Sequence, residues 1–255
     1  MTSQQKQQSL LVSNNEEGSR DATTTIPPVP WAWVKAVNDI LANPPFKEPD
    51  LPVPLLPWLY LSDEYNSVRQ IDKLLDLGIT HVLTANAMPR AELDKIRLRL
   101  QNVGISHHAV GAHDENGYDI LGLHWEECKK VFEDARDHPD GKLVVHCVAG
   151  MNRSGVLAAA AMLTLGDRNN NDNNTTTSRI EDSKNPTLLD VVKALKRKRG
   201  MVMTNLSFQK QLCELAGREG RLGEKPLGYN DDPLPASNFC RFRPTPNEAL
   251  DRLWS

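Results

Sequence analysis

Cys147 and Arg153 stand with five residues between them, in the string His146-Cys147-Val148-Ala149-Gly150-Met151-Asn152-Arg153-Ser154-Gly155. The apolar run Leu143-Val144-Val145 precedes this string, and a second, Val156 to Leu165, follows it. A chain that leaves a buried strand, turns sharply and enters a helix by its N-terminus gathers several backbone N–H groups at one point. The positive end of the helix dipole falls at the same place, which makes a cradle for a dianion. A cysteine at the base of that cradle is expected to be a thiolate at neutral pH, because a fixed positive potential favours the charged form. Arg153 can hold two phosphate oxygens in its planar fork. Gly150 can take the positive φ that a tight anion loop needs, and Ser154 can hydrogen-bond the cysteine sulfur. Alone, Cys147 would read as an inert core thiol, and a His-Cys pair as part of a metal site. Neither accounts for an arginine at the start of a buried helix. The whole string predicts a nucleophile aimed at a phosphoryl group held by the amides of Val148, Ala149, Gly150, Met151, Asn152 and Arg153.

The elements that must position this loop are legible in the hydrophobic pattern. Trp58 to Ser62, Ile79 to Ala85, Ile105 to Val110 and Lys142 to Val145 read as strands. Between them, Ser67–Leu77, Ala91–Gln101 and a segment marked by Ile120, Leu123, Cys128, Val131, Phe132 and Ala135 carry apolar residues at helical spacing. Gly78 can supply a left-handed cap. Arg153 to Leu165 is the helix that receives the loop. Thr187 with Asp190 forms a capping-box start for Leu188–Arg199, and Phe208, Leu212 and Leu215 share one face of a final helix. The alternation predicts an α/β fold with a central mixed, mostly parallel sheet flanked by helices.

Here the residues carry a resemblance. The string resembles the HC-x5-R-S/T signature of cysteine-dependent protein phosphatases, and its surroundings resemble their dual-specificity branch, in an atypical small form. Leu59-Tyr60-Leu61-Ser62 and Leu77-Gly78-Ile79-Thr80-His81-Val82-Leu83 are similar to the family's opening strand, helix and second strand. Asn205-Leu206-Ser207-Phe208-Gln209-Lys210-Gln211-Leu212 is similar to its closing Asn-x-x-Phe-x-x-Gln-Leu segment.

The resemblance implies phosphomonoester hydrolysis on phosphotyrosine and phosphoserine/phosphothreonine of proteins, through a phosphocysteine on Cys147. Asp114 falls where the family carries its general acid, and Asp119 is the alternative position. Ser154 is implied to help the sulfur depart. His146 is expected to orient the loop from beneath, and Asn205 to tie the closing segment to it. No metal and no cofactor is called for, and His107, His108, His113 and Cys147 match no familiar zinc spacing.

Within the loop, Met151-Asn152 departs from the commonest dual-specificity pattern, which has smaller residues there. An Asn before the Arg is similar instead to cysteine-type RNA 5′-triphosphatases, which keeps that activity as the alternative. A non-catalytic phosphoprotein-binding module is a further one, although Cys, Arg and acid are all present. The variable positions carry no Lys, which disfavours inositol-lipid substrates.

The 255 residues accommodate a domain over 51–217 with a Pro/Trp-rich lead-in at 29–50 and tails at 1–28 and 218–255. The first tail is polar and reads as disordered, as does the Asn/Thr-rich insertion within 166–186. Trp31 to Leu41 reads as a short docked helix, and the prolines from Pro44 to Pro57 as extended chain. In the C-terminal tail Phe239, Phe242, Leu250 and Trp254 offer the only core-like residues. A net charge of −3 argues against general nucleic-acid or membrane-surface binding. Lys196-Arg197-Lys198-Arg199 is read as cations complementing a helix C-terminus. Cys128, Cys147, Cys213 and Cys240 lack framework spacing, which suits a reducing compartment. The expectation is a cytoplasmic monomer, with the nucleus as second location, acting on phosphorylated proteins without a membrane partner.

Overall fold

Successive residues along the strands send their side chains to opposite faces of one sheet, and the two faces bury different helices. A computed structural model of the chain describes residues 28–44, 49–166 and 186–235. The strands are β1 (Val53–Leu56), β2 (Leu59–Asp63), β3 (His81–Ala85), β4 (Ser106–Val110) and β5 (Leu143–Cys147). Their spatial order is β1-β2-β5-β3-β4, with β1 antiparallel to β2 and the other pairs parallel. The helices are α1 (Trp31–Ala42), α2 (Ile71–Asp76), α3 (Arg90–Gln101), α4 (Ile120–Asp137), α5 (Arg153–Thr164), α6 (Leu188–Arg199) and α7 (Leu206–Arg218). One face packs Val82 and Val144 against Leu74 of α2 and Ile96 and Leu100 of α3. The other places Leu83, Leu143 and Val145 in one core with residues of α1, α4, α5, α6 and α7. Among the described residues no helix is long and apolar enough to cross a membrane.

β5 lies between β2 and β3, and all five of its residues are buried, as a parallel strand covered on both faces requires. α5 is buried from Arg153 to Met162 and on to Leu163. Four successive alanines, Ala158 to Ala161, let it lie close to the sheet and its helical neighbours. The phosphate-cradle string therefore joins the most buried strand to the most enclosed helix.

The extended proline stretch contains β1, which the alternation alone does not reveal. Pro54 is tolerated because β1 is an edge strand, where a residue without an N–H can stand. α2 is shorter than Ser67–Leu77, because Ser67 Oγ donates back to Asp63 O and holds the preceding residues in a turn. α1 docks on α6 and α7. Trp33 Nε1 donates to Leu222 O at 3.0 Å, and Tyr229 donates to Asp39 Oδ2 at 2.8 Å. Residues 29–44 and 219–234 thus pack onto the same body as 51–217. The readings of the N-terminal tail, the Asn/Thr-rich insertion, Cys240, Phe239, Phe242, Leu250 and Trp254 lie outside the described residues.

Candidate active site

The string from Cys147 to Arg153 leaves β5 at the level of Asp63 on β2, with which Cys147 is in register. The hydrogen bonds of its carbonyls decide which way it faces. Val148 O accepts from Glu64 N at 3.2 Å, and Met151 O from Met203 N at 3.1 Å. Ala149 O and Gly150 O accept from Arg199 Nη2 and Nε at 3.0 and 2.9 Å, and Asn152 O from Val156 N at 2.9 Å. Every carbonyl from Val148 to Asn152 has a partner, the last of them through the first turn of α5. Since N–H and C=O of a planar trans peptide point opposite ways, the amides that follow point away from those partners and are free to face an anion. Gly150 has φ +62° and lies so close to β2 that a Cβ would sit 2.5 Å from Ser62 O. No other residue type fits there.

Cys147 is 1% exposed, and Ser154 Oγ donates to its Sγ at 3.2 Å. Arg153 is buried at the first position of α5. Its Nη1 donates to Asn86 Oδ1 at 2.5 Å and Ala112 O at 3.3 Å, while Nε is buried with no partner among the described residues. An orphaned charged donor is costly to bury, and an anion in the cradle would satisfy it.

Beneath the loop, His146 Nε2 meets Thr84 Oγ1 at 2.8 Å, and the same hydroxyl meets His107 Nε2 at 2.9 Å. Thr84 has one proton to give, so one ring accepts and the other donates. Burial pushes the His146 imidazole down to about 3 and that of His107 down to about 4, so both rings are neutral at physiological pH.

The segment after β4 approaches from the side. Asp114 is exposed, and both its oxygens are held by side-chain amides. Asn152 Nδ2 donates to Oδ2 at 3.0 Å and Asn205 Nδ2 to Oδ1 at 3.2 Å. Asn205 is also the N-cap of α7, accepting from Ser207 N, and it donates to Glu115 O. Further along the closing segment, Gln211 Nε2 donates to Tyr118 O at 2.7 Å and its Oε1 accepts from Leu121 N. Phe208 and Leu212 point into the core. The Asn-x-x-Phe-x-x-Gln-Leu pattern thus has polar members that hold the acid-bearing segment and apolar members that anchor them. Asp119, by contrast, accepts from Gly122 N at 2.9 Å and caps α4.

The structure brings together Cys147, Arg153, Ser154, His146, Asp114, Asn152 and Asn205. It adds Arg199, Thr84, His107 and Asn86, which sequence reading did not single out as site residues. Arg199 carries a signal, the basic run at the end of α6, but in the sequence the helix dipole alone accounts for that run. Arg199 is instead buried and bonded to the phosphate loop, while Lys196 and Lys198 reach Leu41 O and Leu55 O. Cys128 is fully buried in α4, and burial pushes its thiol up to about 12. Among the described residues no group of three or more His, Cys, Asp or Glu is placed to hold a metal.

Comparison with known proteins extends over the same region. The profile of the dual specificity phosphatase catalytic domain matches residues 59–218. Human dual specificity protein phosphatase 26 is 29% identical over 169 residues, covering 64% of this chain and 65% of that protein. Human dual specificity protein phosphatase 13B is 27% identical over 165 residues, 65% of this chain and 72% of that protein. The match thus spans just under two thirds of the length of the first of these relatives. The crystal structure of DUSP15 superposes with a TM-score of 0.50 at 22% identity, over 66% of this chain and 88% of that one, a likeness of fold.

Proposed function

We propose the function from one premise: this chain belongs to the dual specificity phosphatase family. On that footing it is a hydrolase that removes phosphate from tyrosine and from serine or threonine of phosphoproteins, through a phosphocysteine. Cys147 Sγ attacks phosphorus, the P–O ester bond breaks, and the departing oxygen takes a proton from Asp114. Water then attacks the phosphocysteine, giving its proton to Asp114. The P–S bond breaks, and Ser154, donating to Sγ at 3.2 Å, steadies the sulfur as it leaves with the electron pair. The loop amides and the Arg153 guanidinium stabilise charge on the equatorial oxygens in both steps. Neutral His146, held by Thr84, sets the loop from beneath.

The observation that supports this reading most is that every carbonyl from Val148 to Asn152 is already bonded. This leaves the N–H groups of the loop and the unpartnered Nε of Arg153 to meet an anion. Such a surface suits a tetrahedral dianion against a sulfur nucleophile.

The test is turnover of an aryl phosphate. Cys147→Ser is expected to lower kcat on the order of 10⁴-fold or more, with the fold intact by circular dichroism. Wild-type activity that survives a chelator and is blocked by vanadate is expected alongside. Activity surviving Cys147→Ser would overturn the mechanism. Phosphotyrosyl and phosphothreonyl peptides, an inositol phospholipid and 5′-triphosphorylated RNA compared on one preparation decide the substrate class. The peptides are expected to be turned over fastest.

A further inference from the structure

Met151-Asn152 is the part of the loop that departs from the family's commonest pattern, and the structure gives the Asn152 side chain definite work. Its Nδ2 donates to Asp114 Oδ2 at 3.0 Å. Its Oδ1 accepts from Thr204 Oγ1 at 3.1 Å and from Asn205 N at 3.2 Å. The amide orientation is dictated by these partners. Flipped, its oxygen would face a carboxylate and its NH2 would face the backbone N–H of Asn205. Three segments meet at this one carboxamide: the loop after β4, the phosphate loop and the start of α7. A serine could not serve all three, because its one short hydroxyl cannot reach in the two directions taken by Nδ2 and Oδ1.

The backbone of Asn152 belongs to the loop that faces phosphate, whereas its side chain turns away toward Asp114. Asn205 Nδ2 grips the other oxygen of the same carboxylate at 3.2 Å. Asp114 is therefore clamped on both oxygens, although it is exposed and could otherwise sample many rotamers.

We propose that Asn152 is the positioning residue for the general acid, its carboxamide clipping Asp114 to the phosphate loop before substrate binds. The inference rests on the reading of Cys147 as nucleophile and Asp114 as acid. Pre-set geometry of this kind raises the rate of proton transfer without adding a contact to the substrate. It matters most for substrates whose leaving oxygen needs the proton, such as phosphoserine and phosphothreonine. It matters little for a good phenolate.

The experiment compares two aryl phosphates, one with an acidic and one with a weakly acidic phenol, on wild type, Asn152→Ala, Asp114→Ala and the double variant. Asn152→Ala is expected to lower kcat about tenfold or more on the poor leaving group and at most about threefold on the good one. In the Asp114→Ala background the same substitution is expected to add nothing, since the group it positions is gone. The ratio of the two rates is taken on one preparation, so any loss of folded protein cancels. Equal losses on both substrates, or an undiminished loss in the Asp114→Ala background, would overturn the positioning role while leaving the phosphatase reading intact. Absence of turnover in the wild type would overturn both.

Discussion

The phosphate loop and the acid-bearing segment after β4 meet at one site but are held by opposite means. The loop is fixed through its backbone, with Cys147, Gly150 and Arg153 buried at its base and ends. Its carbonyls are engaged by Glu64, Arg199, Met203 and Val156, and Gly150 lies against β2. The segment carrying Asp114 is exposed and is fixed through side chains, from Asn152 on one flank and Asn205, Ser207 and Gln211 on the other. The difference follows from the tasks. A cradle for charge developing on several oxygens needs fixed dipoles out of water. An acid that exchanges protons with water and with the leaving group needs solvent, and holding it takes only its two oxygens.

That contrast can be broken from the loop side. Arg199→Ala removes the partner of two loop carbonyls, Ala149 O and Gly150 O. It is expected to lower activity by about tenfold or more on good and poor leaving groups alike, and to cost about 2–4 kcal/mol of stability. Urea midpoints and the same pair of aryl phosphates check both. A loss confined to poor leaving groups would show that Arg199 acts with the acid instead. The leaving-group-dependent effect of Asn152→Ala is its counterpart on the other side.

A smaller effect separates the two regions by pH. His146 titrates at 6.5 when unfolded, and burial lowers it to about 3 in the native loop. Below pH 6.5 the unfolded chain binds a proton that the folded ring does not. Stability present above 6.5 is therefore lost as the pH falls toward 3, by about 1.4 kcal/mol per pH unit for this one ring. His107, lowered to about 4 and less buried, adds in the same direction but less. Urea unfolding at pH 7 and pH 5 should show the loss, and His146→Gln should reduce it. An unchanged slope in that variant would place the acid sensitivity elsewhere.

The half of this site that was legible in the sequence is the half written in local spacing. Cys147, Arg153 and Ser154 lie in one string, and β5 and α5 announce themselves by their apolar runs. The closing Asn205 segment shows the period of a helix that places polar residues on one side and Phe208 and Leu212 on the other. What was not legible depends on contacts between distant segments. Arg199 looks like any cation at a helix end, until α6 is seen to end beneath the phosphate loop. Thr84 is one residue of a buried strand, and only the register of β3 with β5 sets it opposite His146. Pro54 hid β1, because an edge position is a property of the sheet and not of the segment. Asn152 was visible as an oddity, but its three partners lie 38, 52 and 53 positions away.

The central claim is that Cys147 carries the phosphoryl group between the two steps. Rapid acid quench during turnover of an aryl phosphate, followed by peptide mapping, tests it directly. Phosphate is expected on Cys147 of the wild-type protein, with more of it accumulating in Asp114→Ala when the leaving group is good. Steady turnover with no phosphoryl group on Cys147, or with the group on another residue, would contradict the account.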